Sequence, residues 1–372
     1  MADVVVVGAG IVGAATAAFL AEAGASVTLV ERFGPAAGAS GRNSGVVQQP
    51  FDPVLAELHL ATLRLYRSLE AALDGTFRLP AEPTGLLYVA ADPAPVRALA
   101  EALRRSHPQL TPQVLEGREL TDLEPALAAD LAACRLAIGY PVAPAAATLG
   151  YTGVAERLGA RLVAGAPAEL IVAGGMVRGV RVTGEAIDAP AVVVAAGPET
   201  PGLLDPRGRW RPIRPLWGVV EDVRLARPPG HVLEEAAVET AIEPGEASGG
   251  EIAFSLVTAD GRSALGSAFL PAEPDPLEIV AAMRRRGRRF VPELDRAPAG
   301  PARSCARPLA ADGRPLVGPV PWLRGAFVAA GHGPWGISTG PASARLVADL
   351  VLGRPAVVPQ ELDAGRFGGP DG

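Results

Sequence analysis

Four consecutive valines, Val4–Val7, follow Asp3 and predict a strand buried on both faces of a parallel sheet. The Ala-rich stretch Ala14–Ala23 then predicts a helix closed by Gly24, and Ser26–Val30 a second strand with Glu31 at its end. Gly34–Pro50 breaks the pattern: 17 residues rich in Gly, Ser and Asn without a period, long for a mere connector. Leu55, Leu58, Leu63, Leu65 and Leu69 recur at roughly helical spacing and predict a helix over Leu55–Leu73. Glu82–Leu136 reads as a strand, two helices and loops. Strands are predicted at Arg161–Ile171, Met176–Thr183 and Ala191–Ala196, the last stopping at Gly197. Gly218–Leu225, Ile252–Val257 and Ser263–Phe269 alternate as in an antiparallel sheet, the last two joined through an Asp260-Gly261 hairpin turn. A basic helix over Asp275–Arg289 follows. Gly325–Ala330 is a strand that feeds Gly331–Ile337, and a final helix runs over Gly340–Leu352.

The first thirty residues carry the clearest chemistry. Between the first strand and its helix stands Gly8-Ala9-Gly10-Ile11-Val12-Gly13, a GxGxxG. Gly8 permits the tight turn, Gly10 lets backbone approach a pyrophosphate, and Gly13 lets the helix lie close to the strand. The helix N-terminus, with its free N–H groups and dipole, holds the diphosphate. Glu31, 18 residues past Gly13, is placed to accept from ribose hydroxyls and disfavours a 2′-phosphate. A lone GxGxxG marks any glycine turn; here strand, helix, second strand and terminal acid all stand in the required order. The motif alone leaves NAD and FAD both open.

Composition narrows the rest. The chain has 372 residues with a formal net charge of −6, a balance that argues against a nucleic-acid partner. Its length suits two closely associated domains. Cys134 and Cys305 are the only cysteines, so neither a disulfide framework nor a CxxC site is available. There is no lysine, which removes Schiff-base and lysine-base mechanisms. No segment reads as membrane-spanning or as a signal peptide, and a soluble, cytoplasmic protein is expected. No metal site is predicted.

A second glycine-rich loop, Gly331-His332-Gly333-Pro334-Trp335-Gly336-Ile337, opens the last helix and makes a second site of positive backbone potential. Two such ends on one chain fit a large cofactor gripped from both sides, which favours FAD over NAD. Four stretches, Val4–Glu31, Ser40–Val47, Val192–Pro198 and Cys305–Gly353, resemble the FAD-dependent D-amino-acid oxidase-like family of glycine and sarcosine oxidases and D-amino-acid dehydrogenases. The last stretch is the most specific, with Ala306-Arg307-Pro308 and Asp312-Gly313-Arg314-Pro315-Leu316-Val317-Gly318.

The resemblance implies an α/β protein: a Rossmann-like FAD domain from residues 1–80, 140–213 and 303–372, and a discontinuous second domain, 81–139 and 214–302, built on an antiparallel sheet. It assigns Gly8, Gly10, Gly13 and Glu31 to the ADP half, and Ile11, Val12, Arg32 and Val163 to the cofactor site as well. Ser40, Arg42 and Asn43 lie along the pyrophosphate and flavin. Ala196, Gly197, Gly331, Gly333, Trp335, Gly336 and Ile337 complete the cofactor set. Arg307 is the implied anchor for a substrate carboxylate, with a structural arginine paired to Asp312 or to a backbone carbonyl as its alternative. Cys305 has two readings: covalent attachment to the flavin, as in sarcosine-oxidase-like members, or a small buried thiol beside non-covalent FAD. Two departures stand out. Ala143 occupies a position usually acidic, and the lysine that some members use to activate oxygen has no counterpart. Either His332 or an arginine then supplies positive charge, or electrons leave to another acceptor.

The implied activity is oxidation of the C–N bond of an amino acid or secondary amine. The open alternative is a flavin-bearing subunit of a larger amine dehydrogenase. A flavin monooxygenase is disfavoured by Gly-His-Gly-Pro-Trp-Gly where a Gly-Asp motif is usual, and a disulfide reductase is excluded by the lack of CxxC.

Overall fold

The computed structural model describes residues 2–236 and 251–370; the part of the expected second domain numbered 237–250 lies outside them. The valine run forms the strand Val4–Val7 at the centre of a six-stranded sheet. Across that sheet the order is Leu316–Pro319, Ala326–Ala330, Ala191–Val194, Val4–Val7, Val27–Glu31 and Arg161–Ala164. All pairings are parallel except the first. Alternation decides which layer each valine serves. Val4 and Val6 join the core beneath the helices, whereas Val5 and Val7 face a small antiparallel sheet on the other side. The helical layer is Ile11–Glu22, packed between Ala146–Arg157 and Gly336–Val351. Ile11–Glu22 is apolar all round because it is buried all round.

The second layer is an eight-stranded sheet in the order Ala302–Ala310, Ile213–Val223, Arg262–Phe269, Glu251–Ala259, Val232–Glu235, Leu86–Ala90, Ala132–Leu136, Gln113–Glu116. Pro276–Gly287 covers one face through Met283, against Phe254 and Phe290, whose rings stack at 4.8 Å. Pro93–Ser106 covers part of the other. The predicted hairpin is present, and Asp260 and Gly261 take the positive φ values, 50° and 73°, that such a turn needs.

Several expectations are corrected. Arg161–Ile171 is two strands: Arg161–Ala164 completes the parallel sheet, and Ala168–Ala173 begins the small antiparallel one. Gly165-Ala166-Pro167 breaks the run, with Gly165 at φ 92°. The loop over Gly34–Pro50 contains a short helix, Ala39–Arg42, and a strand, Val46–Val47, paired with Tyr140–Pro141. Two strands, Gln113–Glu116 and Ala132–Leu136, stand in the region read as one strand, helices and loops. The final helix starts at Gly336 rather than Gly340 and runs through Pro341. Ala302–Ala310, which no pattern marked, is a full edge strand.

Candidate functional site

Where the C-terminal ends of the parallel strands meet the edge of the eight-stranded sheet lies a cavity of about 850 Å³. The GxGxxG turn forms its floor. A Cβ on Gly8, which sits at φ 104°, would lie 2.4 Å from the Ala195 carbonyl oxygen, and one on Gly13 would lie 1.8 Å from that of Gly8. Both glycines are thus demanded by packing, while Gly10, Ile11 and Val12 line the cavity itself. The Ile11 N–H donates to Ser40 Oγ at 2.9 Å, which ties the helix end to the Ala39–Arg42 turn. Asn43 holds that turn by donating to the Ala39 and Ser40 carbonyls. Glu31 accepts from the Ala9 and Phe33 N–H groups at 2.8 and 3.1 Å, which fixes its carboxylate in the cavity wall. Arg32 pairs with Glu199 at 3.4 Å beside Ala196 and Gly197, and all four line the wall.

Two helix N-termini open onto this space, those of Ile11–Glu22 and Gly336–Val351. Neither has a side-chain cap from its N-cap residue or an acid in its first turn. Apart from the Ile11 N–H, which is taken by Ser40, their first-turn N–H groups and positive ends are left for a ligand. The second loop contributes His332, Gly333, Gly336 and Ile337 to the lining. Four expected contacts stand back from it: Gly13 and Gly331 are packed behind the wall, Val163 pairs with Val30, and half-buried Trp335 packs on the helical core.

The remaining wall comes from the edge strand. Ala302–Ala310 pairs with Ile213–Val223, from Ile213 opposite Ala310 to Glu221 opposite Ala302, and presents Ser304, Cys305, Ala306, Arg307 and Pro308. Arg307 does not pair with Asp312, whose carboxylate is taken by Arg366 at 2.8 and 3.0 Å. Instead its guanidinium donates to the Ala268 carbonyl at 2.8 Å and Ser267 Oγ at 3.1 Å, and lies 4.9 Å from the Phe269 ring centroid. No acid pairs with it among the described residues. Burial pushes it down from its ordinary pKa, the cost of an uncompensated cation. Burial likewise pushes the Cys305 thiol up, against the pull of Arg307, Arg303 and Arg42, so sulfur is held as the thiol.

His332 is buried, with Nε2 3.0 Å from Ser343 Oγ, and burial lowers its pKa to about 3. The imidazole is therefore neutral and supplies no positive charge to the cavity at neutral pH. His59 is also buried, its pKa lowered to about 4 by burial against a raising bond to the Ser338 backbone. An unfolded chain protonates both near the ordinary histidine value of 6.5, whereas the folded chain does not until the pH approaches 4. Stability is therefore complete above the unfolded value and is lost as the pH falls, by up to roughly 1.4 kcal/mol per pH unit for each histidine. Thermal melts at pH 7 and pH 5 are expected to show this loss. His59→Gln and His332→Gln should each flatten the slope; an unchanged slope would contradict the assignment.

Trp217 and Glu273 also line the cavity, unforeseen from the sequence because neither belongs to a motif. Among the described residues there is no cluster able to hold a metal ion, and no helix is long and apolar enough to cross a membrane.

A parallel sheet with a glycine turn, a fixed acid on the second strand and two uncapped helix ends around one long cavity defines a dinucleotide-cofactor protein. The chain belongs to the family of FAD dependent oxidoreductases named DAO, whose sequence model matches residues 3–350. Its cofactor is FAD. The chain is 30% identical to the glycine oxidase of Pseudomonas aeruginosa over 375 residues, covering 95% of this chain and 96% of that one. It is also 30% identical to a D-amino acid dehydrogenase of Cereibacter sphaeroides, but there the match spans 60% of this chain and 50% of the relative. Among solved structures, iminodiacetate oxidase from Chelativorans sp. BNC1 superposes with a TM-score of 0.82 at 25% identity, covering 97% and 98% of the two chains.

Proposed function

We propose that this chain oxidises the C–N bond of a small amine that carries a carboxylate: glycine, sarcosine, a D-amino acid or a cyclic imino acid. The observation that supports this most is Arg307, a cation in the cavity wall with neutral partners only. A buried guanidinium without an acid is costly, and a ligand carboxylate that accepts both of its edges relieves that cost. The relatives named glycine oxidase, D-amino acid dehydrogenase and iminodiacetate oxidase agree with such a ligand.

In this reading residues 1–80, 140–213 and 303–372 hold FAD, and 81–139 and 214–302 shape the substrate side. Glu31 would accept from ribose hydroxyls, and the positive N-terminus of Ile11–Glu22 would face the diphosphate. The N-terminus of Gly336–Val351 favours negative charge on the reduced ring system. Bound FAD supplies the acceptor for the hydride leaving the substrate Cα, and the imine left behind hydrolyses in water. Arg307 fixes the carboxylate, so one orientation of the Cα–H is selected; positioning of this kind accounts for much of the rate. Neutral His332 and Trp217 wall the cavity without adding charge. Cys305 stays a thiol, and FAD is held non-covalently.

Anaerobic mixing of the FAD-loaded protein with glycine, sarcosine, proline and both enantiomers of common amino acids tests the reading. At least one is expected to bleach the flavin absorption. A flavin that stays oxidised with every one of them would remove the amine substrate class.

A further inference from the structure

We infer that Glu273 selects substrates with a second, distal positive charge, an amino acid whose side chain ends in an ammonium or guanidinium group. The inference rests on the amine-oxidising reading above. Among the described residues, six charged side chains reach the cavity wall: Glu31, Arg32, Arg42, Glu199, Arg307 and Glu273. Glu31 is occupied by two backbone N–H groups, Arg32 and Glu199 by each other, and Arg42 by the Ser304 carbonyl at 3.3 Å. Arg307 has two neutral partners. Glu273 has no hydrogen bond or ion pair within the described residues. Among the described residues it is the one carboxylate of the lining left wholly to solvent or to a ligand.

Its position follows from the elements on either side. Glu273 lies in the loop between the strand Arg262–Phe269 and the helix Pro276–Gly287. That loop is pinned at its start by Leu270, which exchanges both backbone bonds with Trp217 at 2.8 and 2.9 Å. It is pinned at its end by Asp275, whose carboxylate caps the helix through the Leu277 N–H at 2.9 Å. Phe269, just before the loop, stacks on the Arg307 guanidinium, and Trp217 lies opposite Ala306 on the neighbouring strand. Glu273 is thus held on the Arg307 side of the cavity. Arg307 is half-buried in the wall, however, and Glu273 is exposed at its mouth.

An inner cation and an outer anion match a molecule with its carboxylate inward and a positive end outward. The amine that reacts must sit beside the inner carboxylate, so the outer group complements the end of the side chain. The same charge at the mouth repels a second carboxylate. Dicarboxylates such as iminodiacetate, which a structural relative oxidises by name, are expected to be poor substrates here. Attraction at an exposed mouth is modest and is screened by salt.

The test compares charged and neutral isosteres: arginine with citrulline and lysine with norleucine, each in both configurations. The readout is the anaerobic rate of flavin bleaching by the FAD-loaded protein, at low and high KCl. The cationic member of each pair is expected to lead by about twofold to fivefold at low salt, with the lead shrinking as salt rises. Glu273→Gln should bring each ratio close to one. Equal rates within both pairs, or a preference that survives Glu273→Gln, would overturn the inference while leaving amine oxidation standing. Bleaching by glycine or sarcosine but by none of the four longer amino acids would do the same. No bleaching by any amine would overturn both readings together.

Discussion

Arg307→Ala is expected to lower kcat/KM for the carboxylate-bearing substrate by at least about thirtyfold, chiefly through KM, with FAD still bound in full. Truncating one partner of a buried, hydrogen-bonded charge pair costs about 2–5 kcal/mol, roughly 30-fold to several thousand-fold in binding. The free protein reacts differently. Among the described residues its guanidinium has only the Ala268 carbonyl and Ser267 hydroxyl as hydrogen-bond partners, so removing it also removes an unpaired charge. The melting temperature should therefore hold or rise while substrate recognition collapses, a combination that a merely structural arginine would not give. Arg307→Lys should not restore binding, because an ammonium cannot present two parallel donors to a carboxylate. Gly218→Ala acts in the same direction: a Cβ there would lie 2.4–2.6 Å from the guanidinium atoms, so the side chain must leave its place over the strand. Steady-state kinetics with whichever amine bleaches the flavin, beside thermal melts of the same variants, decides this. A wild-type KM in Arg307→Ala would remove Arg307 from the substrate site.

The glycine-turn end of the cavity is legible in the sequence because its requirements are local. Strand, glycine turn, helix and terminal acid follow one another within Val4–Glu31, and each can be recognised from its neighbours. The edge-strand side is not. Ala302–Ala310 reads Ala-Arg-Ser-Cys-Ala-Arg-Pro-Leu-Ala, without an apolar face, and is a strand because it pairs residue by residue with Ile213–Val223, about ninety positions earlier. Arg307 entered through family resemblance, and its freedom from Asp312 follows only from where Arg366 folds back. Glu273 carries no period, motif or spacing; its relation to Arg307 exists in three dimensions alone. The split of Arg161–Ile171 makes the same point in reverse. Both halves have strand composition, and only the path of the chain after Gly165 assigns them to different sheets.

Gly13→Ala should cost the protein both its FAD and much of its stability. The added Cβ would fall 1.8 Å from Gly8 O and 3.0 Å from Gly8 C, and both atoms are backbone. Gly8 cannot retreat, because Val4–Val7 is paired on both edges, with Ala191–Val194 and Val27–Glu31. The helix Ile11–Glu22 has to lift instead, against a layer in which eleven of its residues, Ile11 through Ala21, are buried. Overpacking of this kind costs about 1–3 kcal/mol or more. The lift also carries the Ile11 and Val12 N–H groups away from the cavity and strains the Ile11–Ser40 bond. Gly10→Ala is the informative contrast. Its Cβ would meet only the Ser40 hydroxyl, at 3.0 Å, a side-chain atom able to rotate away. That variant should fold with a near wild-type melting temperature in its FAD-free form, yet bind FAD at least about tenfold more weakly, because the methyl group occupies the space backbone leaves for the diphosphate. Flavin absorbance per polypeptide after gel filtration, with melts of the FAD-free proteins, separates the two. Stoichiometric FAD and an unshifted melt in Gly13→Ala would mean that the helix does not depend on this contact for its place over the strand.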